Sequence, residues 1–295
     1  MRQPEIASLL HLSQARVSRL LKDAVDLRIV RTTVVPPPGL HSDLESALCA
    51  TFGLEDAHVV EAPAPDRVNA AIGSAGAVYL ETTLARGDRV GISSWSSTVL
   101  AAVDAMEPRT VRPVESVVQV IGGVGLPAVQ AKATHLAEEL GRRTGVAPTL
   151  FPAPGIVATA SGREALLADP YINEVAADWS SLTVLLAGIG SLEPSPLLRD
   201  SGNAVSDTDQ ETLRAAGAVG DVCLRFFDSA GNLVDTPIND RVLGIEAETL
   251  LAIPRRVGLA GGAHKQQAIR AAVRGRWVNV LITDSDTAAG LLANT

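Results

Sequence analysis

The sequence predicts an α/β protein in which a mostly parallel sheet is covered by helices. From about residue 57 onward, short apolar runs alternate with segments of helical periodicity, which is the pattern of strands each followed by a covering helix. Residues 257–283 repeat this unit clearly: a short apolar run, the pair Gly261-Gly262, a helical pattern, and a second apolar run. The alternation therefore favours a sheet buried on both faces.

The first 35 residues predict two short helices joined by a tight turn. Pro4 suits a first helical turn, residues 11–12 interrupt the pattern, and Ser13 is a good N-cap for the second helix. We expect the buried faces of the two helices to be formed by Ile6, Leu9, Leu10, Val17, Leu20, Leu21 and Ala24.

This spacing is that of a helix-turn-helix, whose second helix enters the major groove of DNA; a generic amphipathic helical pair is the alternative. Residues 1–35 carry six basic and three acidic side chains, a charge of +3, so the rest of the chain, whose total is −8, carries −11. A basic head on an acidic body is typical of a DNA-binding module joined to another domain. The side chains predicted to contact DNA are Ser13, Gln14, Ala15, Arg16, Ser18, Arg19 and Lys22, and residues 31–35 are predicted to form a wing strand.

Three prolines and a glycine at 36–39 predict a linker, because proline disfavours both helix and sheet. The predicted organisation is a helix-turn-helix over 1–35, a linker with a linker helix over 36–56, and a ligand-binding and oligomerisation domain over 57–295. Predicted strands lie at 57–61, 89–92, 116–121, 149–151, 182–187, 219–227, 257–260 and 278–283. Predicted helices lie at 43–52, 66–86, 98–106, 131–144, 162–168, 207–216, 264–274 and 286–292.

Four glycine- or serine-rich turns follow predicted strands, at 91–98, 122–125, 188–190 and 261–265. Ligands of open α/β sheets bind at the carboxyl ends of the strands, where such turns lie. A turn that opens a helix can present backbone N–H groups to an anion, and Lys265 adds a cation in the last of the four. Trp95 either caps a pocket or packs in the core. Asn239 and Asp240 could bind hydroxyls, although an Asx turn explains them equally well.

Composition excludes several other classes of protein. No apolar run approaches the length of a membrane helix, and the N-terminus has no signal-peptide pattern, so we expect a cytoplasmic protein without a membrane partner. Cys49 and Cys223 are isolated from each other and from histidines, so we expect buried free thiols and neither a metal site nor a cofactor.

Several sequence motifs follow one another along essentially the whole chain: PEIASLLHLSQARVSRLLKDA, LESALCATFGLEDAHVV, VGISSWSSTV, VVQVIGGVG, HLAEELGRRTG, GAVGDVCLRFFD, NDRVLGI and AGGAHKQQAIRAAVRGRWVNVLITD. With these motifs in this order, the chain resembles the SorC family of bacterial transcriptional regulators.

The resemblance implies a helix-turn-helix joined to a Rossmann-like domain similar to glucosamine-6-phosphate deaminase and ribose-5-phosphate isomerase. It further implies a tetramer whose binding to operator DNA changes with a sugar or sugar-phosphate effector. The phosphate contacts that it implies are Ser93, Ser94, Ser96, Ser97, Thr98, Gly261, Gly262, His264 and Lys265. The implied sugar pocket comprises Gly122, Gly123, Gly188, Gly190, Asn239 and Asp240.

The chain departs from the family pattern in two places. Only residues 1–3 precede the PEIASLL motif, where members have a further helix, so we expect either an upstream start or weak DNA binding. His11 stands in the turn where glycine is usual, and histidine tolerates a positive φ better than most side chains.

Two alternatives to an effector-controlled regulator remain at this point. One is a sugar-phosphate isomerase or deaminase, in which His264 or Glu193 would supply acid–base chemistry. The residues after the Gly188-Ile-Gly190 turn lack the Asp-Gly-His stretch of the deaminases, which disfavours an enzyme. The other alternative is a sensor that has lost DNA binding.

Overall fold

The computed structural model describes residues 3–26, 41–61, 64–107, 114–203 and 205–293. Contacts divide the chain into a small N-terminal unit ending at residue 40 and a larger unit beginning at residue 41. The predicted linker helix therefore belongs to the larger unit, because it packs there against a strand and the last helix. The predicted wing strand and the proline linker lie outside the described residues.

The N-terminal unit contains α1 (Gln3–Leu9) and α2 (Gln14–Asp26), as predicted. The Ser13 hydroxyl accepts a hydrogen bond from the backbone N–H of Arg16 at 3.3 Å, and His11 adopts a φ of 52° in the turn. The predicted buried faces are largely wrong. Ala7 and Val17 are buried where the two helices meet, but two short helices cover little of each other's surface, and the larger apolar side chains beside them stay exposed: Leu9, Leu10, Leu20 and Leu21.

The larger unit contains the predicted alternation of strands and helices. Its strands are β1 (Asp56–Val60), β2 (Asp88–Ile92), β3 (Val114–Gln119), β4 (Pro148–Thr149), β5 (Val184–Gly188), β6 (Gly190–Ser191), β7 (Ala218–Val222), β8 (Arg225–Asp228), β9 (Arg255–Leu259) and β10 (Val280–Asp284). Its helices are α3 (Ser42–Phe52), α4 (Val68–Thr83), α5 (Ser97–Ala105), α6 (Pro127–Thr144), α7 (Ala160–Leu167), α8 (Pro170–Asp178), α9 (Pro196–Asp200), α10 (Asp207–Ala215), α11 (Ala247–Ala252), α12 (Gln266–Arg274) and α13 (Ser285–Ala293).

Seven strands form one sheet in the order β1-β10-β9-β5-β2-β3-β4, and every neighbouring pair is parallel. From β2 the chain moves outward through β3 to β4, and β5 then returns to the other side of β2. The strand order thus reverses between β2 and β5, which is a topological switch point of a doubly wound sheet. The predicted α/β class with a mostly parallel sheet is confirmed.

Both faces of this sheet are buried, as its short apolar strands predict. Along β5, Val184 and Leu186 join an apolar cluster that includes Ile72 of α4, while Leu185 joins a second cluster that includes Ile269 of α12. The period of two carries alternate side chains to opposite faces of the strand. None of the helices in the described part of the chain combines the length and apolar character needed to traverse a bilayer.

The predicted strand at 219–227 is wrong, because the segment forms a hairpin. β7 and β8 pair antiparallel, and β6 completes a separate three-stranded sheet. Between β7 and β8, Cys223 and Leu224 have φ values of 54° and 59°, which is the geometry of a two-residue turn that glycine and asparagine normally supply. The sequence has neither glycine nor asparagine at these two positions, so the strand-like pattern of residues 219–227 continues through the turn without a break. Helices α8, α9 and α11 were also not predicted.

Gly122, in the turn after β3, lies close to the backbone of Ala153 and Pro154, and a substitution at this position tests that packing. A Cβ at this position would lie 2.1 Å from the carbonyl oxygen of Pro154 and 2.5 Å from that of Ala153. Because backbone atoms cannot move aside cheaply, we expect Gly122→Ala to lower the free energy of unfolding by about 2–3 kcal/mol. Thermal denaturation should show a fall in Tm of roughly 5–10 °C.

Gly123→Ala is the matched control, because its Cβ would meet the side chain of Gln119 rather than backbone. A loss of stability in Gly123→Ala as large as that in Gly122→Ala would contradict this account.

Candidate ligand-binding site

A cavity of about 320 Å³ lies at the carboxyl ends of β2, β5 and β9. Its volume is within the range of pockets that enclose small molecules. Three of the four predicted turns meet there, because their strands are neighbours in the parallel sheet. The predicted residues that line the cavity are Ser93, Ser96, Ser97, Thr98, Gly188, Gly190, Gly261, His264 and Lys265.

The β2–α5 turn brings a helix N-terminus to the cavity. Ser96 is the N-cap of α5, and its hydroxyl accepts a hydrogen bond from the N–H of Val99 at 3.2 Å. The N–H groups of Ser97 and Thr98 lie in the first turn, where the helix dipole favours an anion. Thr98 is buried and donates its hydroxyl to Asn69, which also lines the cavity.

Ser93 lines the same cavity and is buried, and its hydroxyl oxygen has no hydrogen-bond partner among the described residues. A buried hydroxyl without a partner is costly, so it needs one from a ligand or water. This orphaned group points to a polar occupant of the cavity.

Ser94 and Gly122 do not line the cavity, contrary to prediction. The Ser94 hydroxyl donates to the carbonyl oxygen of Ile121 at 2.7 Å, and Trp95 donates its indole N–H to the carbonyl of Gly122 at 2.9 Å. These bonds join the turn after β2 to the turn after β3, so the two residues support the cavity wall from behind. Trp95 itself faces the cavity.

Gly123, Asn239 and Asp240 also lie away from the cavity lining. Gly123 packs against the side chain of Gln119, which holds the amide of Phe151. The Asn239 side chain donates to the carbonyl of Val234 at 2.7 Å within a short 3-10 turn, and Asp240 is exposed. The Asn239 side chain is therefore held within the fold by its amide N–H, but no Asx turn forms, because Oδ1 of Asn239 has no hydrogen-bond partner among the described residues.

Glycines bring the turn after β5 close to its neighbours. A Cβ on Gly188 would lie 2.4 Å from the Ser96 hydroxyl oxygen, and a Cβ on Gly190 would lie 2.0 Å from Oδ1 of Asp221. Only the absence of a side chain permits this approach. The cavity wall depends on glycine at both positions.

The Gly261–Lys265 turn is held by a buried carboxylate. Gly262, with a φ of 94°, donates its N–H to Oδ2 of Asp284 and to the hydroxyl of Thr287, both at 2.9 Å. Asp284 also accepts hydrogen bonds from the N–H and the hydroxyl of Thr287. Gly262 itself does not line the cavity. His264 and Lys265 follow it and do.

Lys265 and Asp221 place opposite charges in the cavity. The Lys265 ammonium donates to the carbonyl of Ile189 at 3.1 Å. Burial raises the pKa of Asp221 to about 6, against the opposing effects of the Leu224 amide and of Lys265. Burial also lowers the pKa of Lys265, and the nearby Asp221 carboxylate partly offsets this shift.

Sequence reasoning missed Asp221 and Arg199, which both line the cavity. Asp221 is the one acid within the apolar stretch AVGDVCLRFF, and this isolation is the signal that could have identified it. Arg199 lies on the short helix α9, and no pattern in the sequence indicates that this segment reaches the cavity.

Other candidate chemistry is not supported in the described part of the chain. No group of three or more His, Cys, Asp or Glu side chains there could hold a metal ion. Cys223 is buried, which raises its pKa to about 12, whereas Cys49 is partly exposed, contrary to prediction.

The doubly wound sheet and the cavity at its switch point define a small-molecule-binding α/β domain. Residues 37–293 match the Sugar-bind family model, described as a putative sugar-binding domain. The chain belongs to this family, which it shares with regulators of the SorC type.

Its relatives span nearly its whole length. The deoxyribonucleoside regulator of Bacillus subtilis is 32% identical over 98% of this chain and 92% of the relative. The sorbitol operon regulator of Klebsiella pneumoniae is 29% identical over 99% of this chain and 93% of the relative. The crystal structure of full-length SorC from that organism gives a TM-score of 0.78 over 99% of this chain and 94% of that structure. These relatives are transcriptional regulators and not enzymes, so the isomerase or deaminase alternative is set aside.

A substitution of Asp284 tests whether this carboxylate fixes the Gly261–Lys265 turn. We expect Asp284→Ala to lower the free energy of unfolding by about 2–3 kcal/mol, because buried amide and hydroxyl donors lose their acceptor. Urea denaturation measures this loss. The control is Thr287→Val, which leaves the Asp284–Gly262 bond in place and should cost about 1 kcal/mol. Equal losses in the two variants would show that Asp284 does not have this role.

Proposed function

We propose that the chain is a DNA-binding transcriptional regulator whose affinity for its operator is controlled by a phosphorylated sugar. The observation that carries the proposal is the single cavity into which both the Ser93–Thr98 turn and the Lys265 turn open. Two turns far apart in sequence converge on one small volume, which is what a binding site for a small metabolite requires.

The chemistry of the cavity supports a phosphate ester. The first turn of α5 offers backbone N–H groups, Ser96 and Ser97 offer hydroxyls, and Lys265 supplies a cation. Arg199 adds a second cation on an exposed side chain at the same cavity. Phosphate favours this combination of oriented amides and positive charge.

The names of the relatives support a carbohydrate ligand. One relative is named a deoxyribonucleoside regulator, a second a sorbitol operon regulator, and a third, from Brucella abortus, an erythritol catabolism regulatory protein. All three names refer to polyhydroxylated compounds or to compounds that contain a sugar. We therefore assign the same chemical class to the occupant of this cavity.

The second helix of the N-terminal unit is the proposed DNA-reading element. All seven of its predicted contact residues are exposed: Ser13, Gln14, Ala15, Arg16, Ser18, Arg19 and Lys22. Ligand binding would act on DNA affinity by favouring one arrangement of a cytoplasmic homo-oligomer, which we propose to be a tetramer.

Lys265 gives the first test of the ligand. We expect sugar phosphates at about 100 times their Kd to stabilise the wild type by about 2.7 kcal/mol and the Lys265→Ala variant far less. A thermal-shift screen of pentose and hexose phosphates, with the matching free sugars, measures this difference. The unliganded Tm should change little, because the ammonium makes one hydrogen bond to Ile189.

Lys132→Ala is the matched control, since this lysine is exposed and outside the cavity. A sugar phosphate that stabilises the wild type and Lys265→Ala equally would remove Lys265 from the site. No stabilisation of the wild type by any phosphate would contradict the proposed ligand class.

Arg19 gives the test of DNA binding. We expect Arg19→Ala to weaken binding to the DNA upstream of the gene and to reduce the slope of log K against log salt by about 1, because one phosphate contact is lost. Fluorescence anisotropy at several salt concentrations measures both. Arg214→Ala, an exposed arginine of the larger unit, is the control. If the wild type shows no preference for this DNA, the chain is instead a sensor without DNA binding.

A further inference from the structure

The helix α3 is the first element of the larger unit, and the chain enters that unit through it. It packs against β1, an edge strand of the seven-stranded sheet, and against α13, the last helix. A regulator of the proposed kind must carry the occupancy of its cavity to its DNA-binding helices, and along the chain α3 is the element of the larger unit nearest to them. The inference drawn from α3 rests on the proposed function and specifies how the site is coupled to DNA.

One side chain of α3 is built into the edge of the sheet. Oε1 of Glu45 accepts a hydrogen bond from the backbone N–H of Val59 in β1 at 2.9 Å. Among the described strands, β1 has a neighbour, β10, on one side only, so N–H groups on its other side need acceptors from elsewhere. Val59 is buried, which makes this acceptor more important. Glu45 thus takes the place of a neighbouring strand and fixes α3 to the sheet.

The sheet edge leads from Glu45 to the Gly261–Lys265 turn of the cavity. β1 pairs with β10 in parallel, and Val60 lies opposite Asp284. Asp284 is the buried carboxylate that accepts a hydrogen bond from the N–H of Gly262. β2 and β5 are separated from β1 by β9 and β10, so the turn after β9 is the cavity turn nearest to this edge.

A second connection between the turn and α3 runs through helices. α12 begins directly after Lys265, and Arg270 of this helix donates to the carbonyl oxygen of Gly290 in α13 at 2.7 Å. The first turn of α13 contains Thr287, whose hydroxyl accepts a hydrogen bond from the N–H of Gly262 at 2.9 Å. Because α13 packs against α3, the turn is connected to α3 both through this helix and through the sheet edge.

We propose that Glu45 is the positioning residue that couples the cavity to DNA affinity, because it holds α3 to the sheet edge that the Gly261–Lys265 turn controls. A ligand anion that draws the Lys265 ammonium away from the carbonyl of Ile189 favours one position of this turn. The hydrogen bonds of Gly262 carry that preference to α13 and β10, and Glu45 carries it from β1 to α3. The coupling is limited by the difference in ligand affinity between the two positions.

The test measures the response of DNA binding to ligand in wild type and Glu45→Ala, both as full chains. Fluorescence anisotropy gives the Kd for the DNA upstream of the gene with and without ribose 5-phosphate, glucose 6-phosphate, fructose 6-phosphate or sorbitol 6-phosphate. For a sugar phosphate that binds the wild type, we expect the two Kd values to differ by about tenfold or more in the wild type and by less than about twofold in Glu45→Ala. Calorimetric affinity for the same sugar phosphate should stay close to that of the wild type, because Glu45 does not line the cavity.

Two matched variants separate the hydrogen bond from the charge. Glu45→Gln keeps a carbonyl oxygen that can accept from the N–H of Val59, so its DNA binding should respond to ligand as the wild type does. Asp43 is an exposed acid on the same first turn of α3, so Asp43→Ala removes an equal charge and should also respond normally. A lost response in either control, or a full response in Glu45→Ala, would overturn the assignment.

A second measurement needs only the wild type, so it tests the inference even if Glu45→Ala does not fold. Hydrogen–deuterium exchange is measured without DNA, with and without a saturating concentration of a sugar phosphate that binds. We expect the amides of α3 and β1 to change their protection together with those of residues 261–265, whereas the amides of α8 keep theirs. Unchanged protection of α3 and β1 in a protein that has bound the ligand would contradict the coupling.

Failure of the proposed function gives a different pattern of results. If no sugar phosphate binds the wild type, or if a bound one leaves its DNA affinity unchanged, the proposed function fails and the coupling fails with it. If the wild type responds and Glu45→Ala responds to the same extent, the proposed function stands and only the role of Glu45 is wrong.

Discussion

The site depends on one constraint, the parallel run of β9, β5, β2 and β3 as neighbours in one sheet. Parallel strands end at a common edge, so the turns that follow them lie side by side although they are separated along the chain by up to about 170 residues. The reversal of strand order between β2 and β5 opens the space between those turns. Serines from one turn and a lysine from another then reach the same volume without any long connection.

Buried polar contacts convert this edge into a defined cavity. Asp284 holds the amide of Gly262, Trp95 holds the carbonyl of Gly122, and Asp221 holds the amide of Leu224. Each contact joins backbone to a side chain, so the turns are fixed before a ligand arrives. The same contacts occupy backbone N–H and carbonyl groups that could otherwise bind a ligand. A glycine in a turn at a strand end is therefore not necessarily a ligand-binding residue.

The sequence pattern predicted the elements whose local conformational preference agrees with their position in the fold. The apolar runs and glycine turns predicted the central strands, and the turns predicted which edge carries the cavity. The pattern failed where one run contains two strands, since Cys223 and Leu224 take positive φ values that their side chains disfavour. It also failed at Arg199 and Asp221, because the position of the short helix α9 and the pairing of the small antiparallel sheet depend on long-range contacts. In the N-terminal unit, Leu20 has the helical spacing of a buried residue and is exposed.

The hairpin between β7 and β8 links the shape of the cavity to an unfavourable backbone. Its two turn residues have left-handed conformations that cost roughly 1–2 kcal/mol each without glycine, yet both side chains form part of the cavity wall. An Asn-Gly pair would relax the backbone and remove the leucine surface that closes this side. Selection for thermal stability alone would therefore favour turn residues that change the cavity wall and reduce ligand discrimination. Stability and ligand recognition thus place opposing demands on these two positions.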